Sequence, residues 1–358
     1  MTSNQKLDRT ASYRSQPRQL VLSTLRLFHE QCARGFKGGR AVKFPSRYRE
    51  AKNIVVCGMG GSALGSDVIR YVFMGILRIP YTIVNGYHLP AFVDRNTLVV
   101  FSSYSGTTEE VLSAMTEAKK RGALITGLTR GAKLGAFFDR NGYPWYQIDG
   151  EVNLSRQPRM GLGYSIMGQL GLLSSIGLLP MTPTDAAAIV KYVRRRAKAF
   201  ETSVPTSRNE AKSLAVSLLG RIPVLIGTEH CSGSIHVFAN QLNETPKAFA
   251  MPFIVPELNH HLLEGLRFPK AVKKGTFMFV SSSLYDDRIT KRQHITAEIV
   301  KKRGLKVVQY RVRGADRLTQ AFDLLVLAGH ASFYLSVLHN CDPLGIQTVD
   351  EFKERLAT

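Results

Sequence analysis

Cysteine is scarce in this chain and tryptophan almost missing. Its 358 residues include four cysteines (Cys32, Cys57, Cys231 and Cys341) and one tryptophan. The cysteines are scattered, with none of the paired spacing that holds a metal. Cys57 falls in an apolar strand pattern and reads as a small core residue. This usage points to a reducing cytoplasm. Long apolar runs are also lacking, so we expect no membrane span and no membrane partner. The stretch MTSNQKLDRTASYRSQPRQ is polar and has no apolar centre of the signal-peptide kind. Acidic residues are in short supply: 27 Asp and Glu face 48 Lys and Arg, a formal charge of +21. Such a chain attracts anions without selectivity. Its cations are spread in several clusters rather than gathered into one groove, so we expect no specific nucleic-acid partner.

What the chain does have is apolar content of 44% and a repeating pattern of strand, turn and helix. Residues 53–57, 81–84, 98–101, 123–128 and 145–148 read as strands. Helical patterns lie at 63–74 and 107–118, and a strongly apolar one at 165–178. A second round follows, with strands at 224–227, 277–281 and 307–310 and helices at 289–303 and 324–339. Alternation of this kind predicts an α/β fold with doubly wound, flavodoxin-like parallel sheets, helices on both faces. The expected organisation is an extension over 1–50, a first domain over 51–180, a linker helix over 181–205 and a second domain over 206–358. Residues 1–17 read as loose, 19–32 as a helix, and the basic, glycine-containing 33–50 as a connection. A short helix is expected at 347–357.

The stretch TLVVFSSYSGTTEEVL over 97–112 is the most telling. A buried strand runs into a serine-rich turn, and a helix follows. Thr107 and Glu110 stand in capping-box spacing at the helix start. A helix N-terminus offers outward N–H groups and partial positive charge. Ser103, Ser105 and Thr108 add hydroxyls, and Gly106 lets the backbone approach closely. A phosphate monoester suits such a turn; serines wetting an ordinary capped turn are the alternative. A second turn, GMGGS over 58–62, lies at the end of the first strand. Gly58, Gly60 and Ala63 satisfy a dinucleotide fingerprint. However, Asn85 and Gly86 stand where that fingerprint expects a ribose-binding acid. Ser62 could instead join Ser103, Ser105 and Thr108 around one phosphate, because adjacent parallel strands bring their C-terminal turns together. The sugar-phosphate reading is the stronger. The second half carries no copy of the SSYSGTT loop, which predicts one phosphate site between two similar halves.

GMGGSALGSD (58–67), SYSGTTEE (103–110), QPRMGLGYS (157–165), NETPK (243–247), PELNHH (256–261), SFYLSVLHNCDP (332–343) and EFKERL (351–356) appear in one order. Together they resemble the sugar isomerase (SIS) domain family, within it the bifunctional phosphoglucose/phosphomannose isomerases. The resemblance implies metal-independent, cofactor-free aldose–ketose isomerisation of a hexose 6-phosphate through a cis-enediolate. By position, Gly61, Ser62, Ser103, Ser105 and Thr108 correspond to the phosphate ligands. Glu244 corresponds to the base, Arg159 to the cation beside the enediolate, and His260 to a ring-opening group donated by the partner in a homodimer. Lys353 matches a second ring-opening residue. The chemistry calls for these residue types: a carboxylate to shuttle a proton α to a carbonyl, a fixed cation for the developing oxyanion, and a histidine near neutrality. Glu257 and Glu264 are alternative carboxylates. Leu344 and Gly345 follow Pro343 where the family often carries Thr-Pro. A non-catalytic sugar-phosphate sensor is the competing function.

Overall fold

The computed structural model describes residues 1–357. In chain order the elements are α1 (Ser3–Asp8), α2 (Gln16–Arg26), α3 (Phe28–Ala41), β1 (Asn53–Gly58), α4 (Gly61–Phe73), β2 (Tyr81–Val84), β3 (Thr97–Ser103), α5 (Glu109–Lys120), β4 (Leu124–Thr129), α6 (Ala132–Asn141), β5 (Trp145–Gln147) and α7 (Leu162–Ser175). The second half continues with α8 (Pro183–Ala199), α9 (Glu210–Leu218), β6 (Ile222–Gly227), α10 (Ser232–Glu244), β7 (Met251–Ile254), α11 (Leu262–Gly265), β8 (Gly275–Ser281), α12 (Asp287–Lys302), β9 (Lys306–Arg311), α13 (Arg317–His339) and α14 (Gln347–Ala357).

Both sheets are parallel throughout. The first runs β2-β1-β3-β4-β5 and the second β7-β6-β8-β9. These are the flavodoxin-like order and a four-stranded version of it, as expected from the alternation of strands and helices. Side chains alternate across each strand. Ile54, Val56, Leu98 and Val100 enter a large central core, while Val55, Cys57, Val99 and Phe101 pack beneath α5 and α6. In the second sheet Leu225, Met278 and Val280 join the same central core. Val224, Ile226, Phe277 and Phe279 pack on its outer face, with Ala297 and Val300 of α12. The two sheets thus flank one shared layer of helices.

β7 escapes the strand pattern. It holds Pro252, which has no N–H to give a ladder, and it lies at the sheet edge where that loss is tolerated. Residues 1–17 are ordered rather than loose. α1 buries Leu7, the following turn buries Tyr13, and Asp8 receives the buried ammonium of Lys212 at 3.0 Å. Local pattern does not reveal an anchor that lies two hundred residues away.

Residues 33–41 are helix, not connection. Gly35, Gly38 and Gly39 lower helix propensity, but all three sit in close contacts; a Cβ on Gly38 would meet the Tyr146 ring at 2.1 Å. A Cβ on Gly39 would stand 2.2 Å from the Gly168 carbonyl of α7, and one on Gly35 2.9 Å from the Gly163 carbonyl. From the other side, a Cβ on Gly171 would meet the Phe36 carbonyl at 2.6 Å. Two backbones therefore run in contact, and side-chain volume is what must be absent. α13 is 23 residues long and apolar enough to cross a membrane by composition, contrary to the expectation that no run reaches that length. It is buried almost all round inside the protein, and a helix with that surrounding is apolar on every face.

Gly39→Ala should lower stability by about 1–3 kcal/mol through overpacking, despite alanine's better propensity. Gly86→Ala, where nothing lies within 4 Å of the added Cβ, should be near neutral. Urea unfolding of both variants checks this.

Candidate active site

In an open α/β sheet the crevice lies where strand order reverses, at the carboxyl ends of the strands. In the first sheet that is between β1 and β3, which pair with Gly58 opposite Ser102. Two turns leave from these ends. After β1, Gly60 takes φ +48°, a left-handed conformation that glycine adopts cheaply. After β3, Gly106 takes φ +72°, and its N–H donates to Ser103 Oγ at 3.1 Å. The turns are tied together. Tyr104 N–H donates to Ser62 Oγ at 3.0 Å, and Ser102 Oγ–H to the Ser62 carbonyl at 2.9 Å. Asn85 donates to the Gly58 carbonyl at 2.7 Å, so this position braces the glycine turn.

Ser103 and Thr108 share a hydroxyl–hydroxyl bond of 2.8 Å. Thr108 is the residue preceding α5 and makes no side-chain cap. The expected capping box of Thr107 and Glu110 does not form. Instead Thr107 donates both its N–H and its hydroxyl to Ser105 Oγ, at 3.3 and 3.2 Å. Glu109 and Glu110 occupy the first turn of α5, where carboxylates complement the helix dipole. Ser62 and Ser103 are buried, Thr108 is half-buried and Ser105 is exposed.

Arg159 reaches this crevice from the loop before α7. Gly61 is the point of contact: a Cβ there would stand 2.9 Å from both the Arg159 nitrogen and the Pro158 carbonyl carbon. The guanidinium is 1% exposed, yet every nitrogen has an acceptor. Nε meets Thr245 Oγ1 at 3.4 Å, Nη1 meets Gln157 Oε1 at 2.9 Å, and Nη2 meets the Pro343 and Leu344 carbonyls at 2.8 and 3.0 Å. Nη1 also lies 3.3 Å from Glu244 Oε2, whose carboxylate is 31% exposed. Burial lowers the Arg159 pKa; Glu244, then Asp342 and Asp350, pull it back up. The result is a buried, fully coordinated cation with one partly exposed carboxylate beside it.

Glu244 is the last residue of α10, and α10 is packed hard on α4. A Cβ on Gly233 would come within 2.6 Å of the α4 backbone at Asp67 and Val68. His236 Nδ1 and Asp67 bind at 2.6 Å on the same seam. Of the residues singled out from sequence, Gly61, Ser62, Ser103, Thr108, Arg159 and Glu244 thus form one contiguous set. His260 and Lys353 are not joined to this set: both are exposed, with no hydrogen bond among the described residues to Arg159 or Glu244. His260 follows β7 at the far edge of the second sheet. Lys353 lies on α14, whose Val349, Phe352 and Leu356 are also exposed. Of the alternative carboxylates, Glu257 binds His261 at 2.8 Å and Glu264 is exposed. Among the described residues, no group of three His, Cys, Asp or Glu converges as metal ligands would.

A model of the SIS domain matches residues 47–134, and a model of the bacterial phospho-glucose isomerase C-terminal SIS domain matches 207–356. The bifunctional phosphoglucose/phosphomannose isomerase of Caldicellulosiruptor bescii is 33% identical over 337 residues, covering 92% of this chain and 96% of that protein. Its namesake in Aquifex aeolicus is 30% identical, covering 85% and 90%. The chain belongs to the bifunctional phosphoglucose/phosphomannose isomerase family. Among solved structures, a hypothetical protein of Thermus thermophilus superposes with TM-score 0.72 at 17% identity, covering 99% of this chain and 94% of that one. That likeness speaks for the fold.

In this family member, several residues around the site were silent in the sequence. Gln157 and Thr245 flank recognised positions and accept from Arg159. The Pro343 and Leu344 carbonyls carry no side-chain signal at all. Beside Arg159 a small cavity is lined by Thr24, Leu25, Phe28, Gln241 and His330, so the N-terminal helices form part of the wall behind the site. Burial on α13 pushes His330 down to about 4, and its Nδ1 is paired with the Val326 carbonyl.

His330 is therefore neutral in the folded protein where the unfolded chain, with an ordinary histidine near 6.5, takes up a proton. Its contribution is complete above pH 6.5 and is lost as pH falls toward 4, about 3 kcal/mol in all. Urea unfolding from pH 7 to 4 should show this decline, and His330→Leu should flatten it.

Proposed function

We propose that this protein interconverts glucose 6-phosphate and fructose 6-phosphate, and also mannose 6-phosphate, by proton transfer through a cis-enediolate. The observation that carries the reading is the 3.3 Å approach of the buried Arg159 guanidinium to the partly open Glu244 carboxylate. A proton α to a carbonyl needs a positioned base. Glu244 takes the C2 proton of the open-chain aldose. The electron pair left behind forms the C1–C2 double bond, and negative charge develops on the C1 oxygen. Transfer of the C2 hydroxyl proton to the C1 oxygen moves the charge to the C2 oxygen, and return of the first proton to C1, with collapse of the C2 oxyanion to a carbonyl, gives the ketose. Arg159 stays protonated even when burial lowers its pKa, and a cation held by fixed acceptors needs no rearrangement as that charge appears. In this mechanism Arg159 takes the charge-stabilising role that a metal ion takes in others.

The phosphate end is assigned to the turn of Ser103, Ser105 and Thr108 with Gly61 and Ser62. Its support is the pairing of the two turns at the β1–β3 crevice and the start of α5 beside them. His260 is assigned to ring opening from a second copy, in a homodimer with shared sites. What supports this is its exposure and the lack, among the described residues, of any hydrogen bond from it to its own Glu244. Lys353 is assigned to the same step. Asp350, on the same helix, acts electrostatically on Arg159, so α14 starts near the site.

A coupled assay on glucose 6-phosphate and mannose 6-phosphate tests the reading; turnover of neither would reject it. Glu244→Gln should cost at least ~100-fold in kcat, since the amide cannot accept the proton, while fructose 6-phosphate still raises the melting temperature. Ser103→Ala should mainly raise KM, by roughly tenfold or more for one lost hydrogen bond to a charged group.

A further inference from the structure

The last carbonyls of a helix have no partner inside it. α10 ends on Glu244, and the chain turns back three residues later at Lys247. This residue has φ +56°, which costs strain for anything but glycine or a short polar side chain. The turn aims its ammonium at three carbonyls. Nζ lies 3.0 Å from the Glu244 carbonyl, 3.2 Å from that of Thr245 and 2.5 Å from that of Asp342. An ammonium has three donors, and all three are spent. Two hold the end of the helix that carries Glu244. The third holds a loop that follows α13, almost a hundred residues away.

That loop is the one that grips Arg159. Asp342 Oδ1 and Oδ2 accept from the Leu344 and Gly345 N–H groups at 2.9 and 3.1 Å, which curls the loop. The curl presents the Pro343 and Leu344 carbonyls to Arg159 Nη2. A closed circuit results: Glu244, the end of α10, Lys247, the 342–345 loop, Arg159, and Glu244 again. The like charges of Arg159 and Lys247 sit near one another; although Lys247 is exposed overall, partial desolvation and Arg159 pull its pKa down, while Cys341, Asp342 and Glu244 offset this. A helix end needs nothing this elaborate, since water or a glycine turn satisfies exposed carbonyls.

We propose that Lys247 is a positioning residue of this site, clamping the end of α10 to the 342–345 loop so that the Glu244 carboxylate and the Arg159 guanidinium keep one mutual geometry. The assignment rests on the isomerase reading of that pair. A misplacement of about 1 Å can cost on the order of 100-fold in rate, and the clamp acts where such a shift would arise.

The test uses the full chain. Lys247→Met keeps the stem and loses the donors. Its kcat for fructose 6-phosphate should fall ~30- to 100-fold with KM within about threefold. Lys247→Arg should recover much of the loss. In Lys247→Ala, ethylammonium chloride should restore kcat where sodium chloride of equal ionic strength does not. Amide hydrogen exchange across 341–346 should quicken in Lys247→Met, whether or not the protein turns over sugar. A kcat within twofold of wild type, a loss expressed entirely in KM, or unchanged exchange over 341–346 would each overturn the assignment. If the wild type isomerises no hexose phosphate, the isomerase reading falls by itself, and the exchange measurement still decides whether Lys247 clamps the loop.

Discussion

A guanidinium shut away from water must find acceptors for all its N–H groups or forfeit several kcal/mol. Arg159 meets this demand by drawing on its own loop and on two distant parts of the chain. Gln157 comes from its own loop, Thr245 and Glu244 from the end of α10, and the Pro343 and Leu344 carbonyls from the turn beyond α13. The same demand explains why the carboxylate beside it belongs to the other sheet: a buried cation is tolerable with a paired anion and fixed dipoles. Coordination of this one side chain ties the two halves together at the crevice.

Backbone contact makes that arrangement possible. α3 meets α7, and α10 meets α4, at glycines whose Cβ positions are already filled by a neighbouring backbone. The first seam carries the N-terminal helices onto the wall behind Arg159. The second brings the C-terminal end of α10 to the first sheet's switch point. Duplication of the sheet did not duplicate the crevice. In the second sheet β8 takes the place of β3, and Ser282 follows it. There Gln320 of α13 fills the turn, accepting from Ser282 Oγ, pairing with His230 Nε2 at 2.9 Å and donating to the Gly314 carbonyl. A turn whose polar groups are already paired within the chain leaves little for a ligand.

Much of this was legible in the residues. Apolar strands followed by helical periods specify parallel α/β layers, and six of the nine singled-out residues fall into one contiguous set. Legibility failed where the cause was remote. Three glycines in α3 looked like a connection because what they pack against, α7 and the Tyr146 ring, lies more than a hundred residues on. α1 looked loose because its anchor is Lys212. Pro252 hid an edge strand, and Thr107 and Glu110 had capping-box spacing while the hydroxyls bonded to other serines and threonines. Backbone carbonyls, which hold both Arg159 and Lys247, have no identity in a sequence.

What the sequence alone determined is everything that short-range periodicity and residue chemistry can encode: the sheet-and-helix alternation, the hydroxyl turn, the presence of a carboxylate, a guanidinium and a histidine in a recognisable order. Tertiary structure alone decided which of these meet. Arg159 and Glu244 are 85 residues apart along the chain and come within 3.3 Å, because close helix packing and the need to satisfy a buried charge act through space. Distances of that kind are set by volume and by unpaired polar groups, neither of which follows from neighbours in the chain.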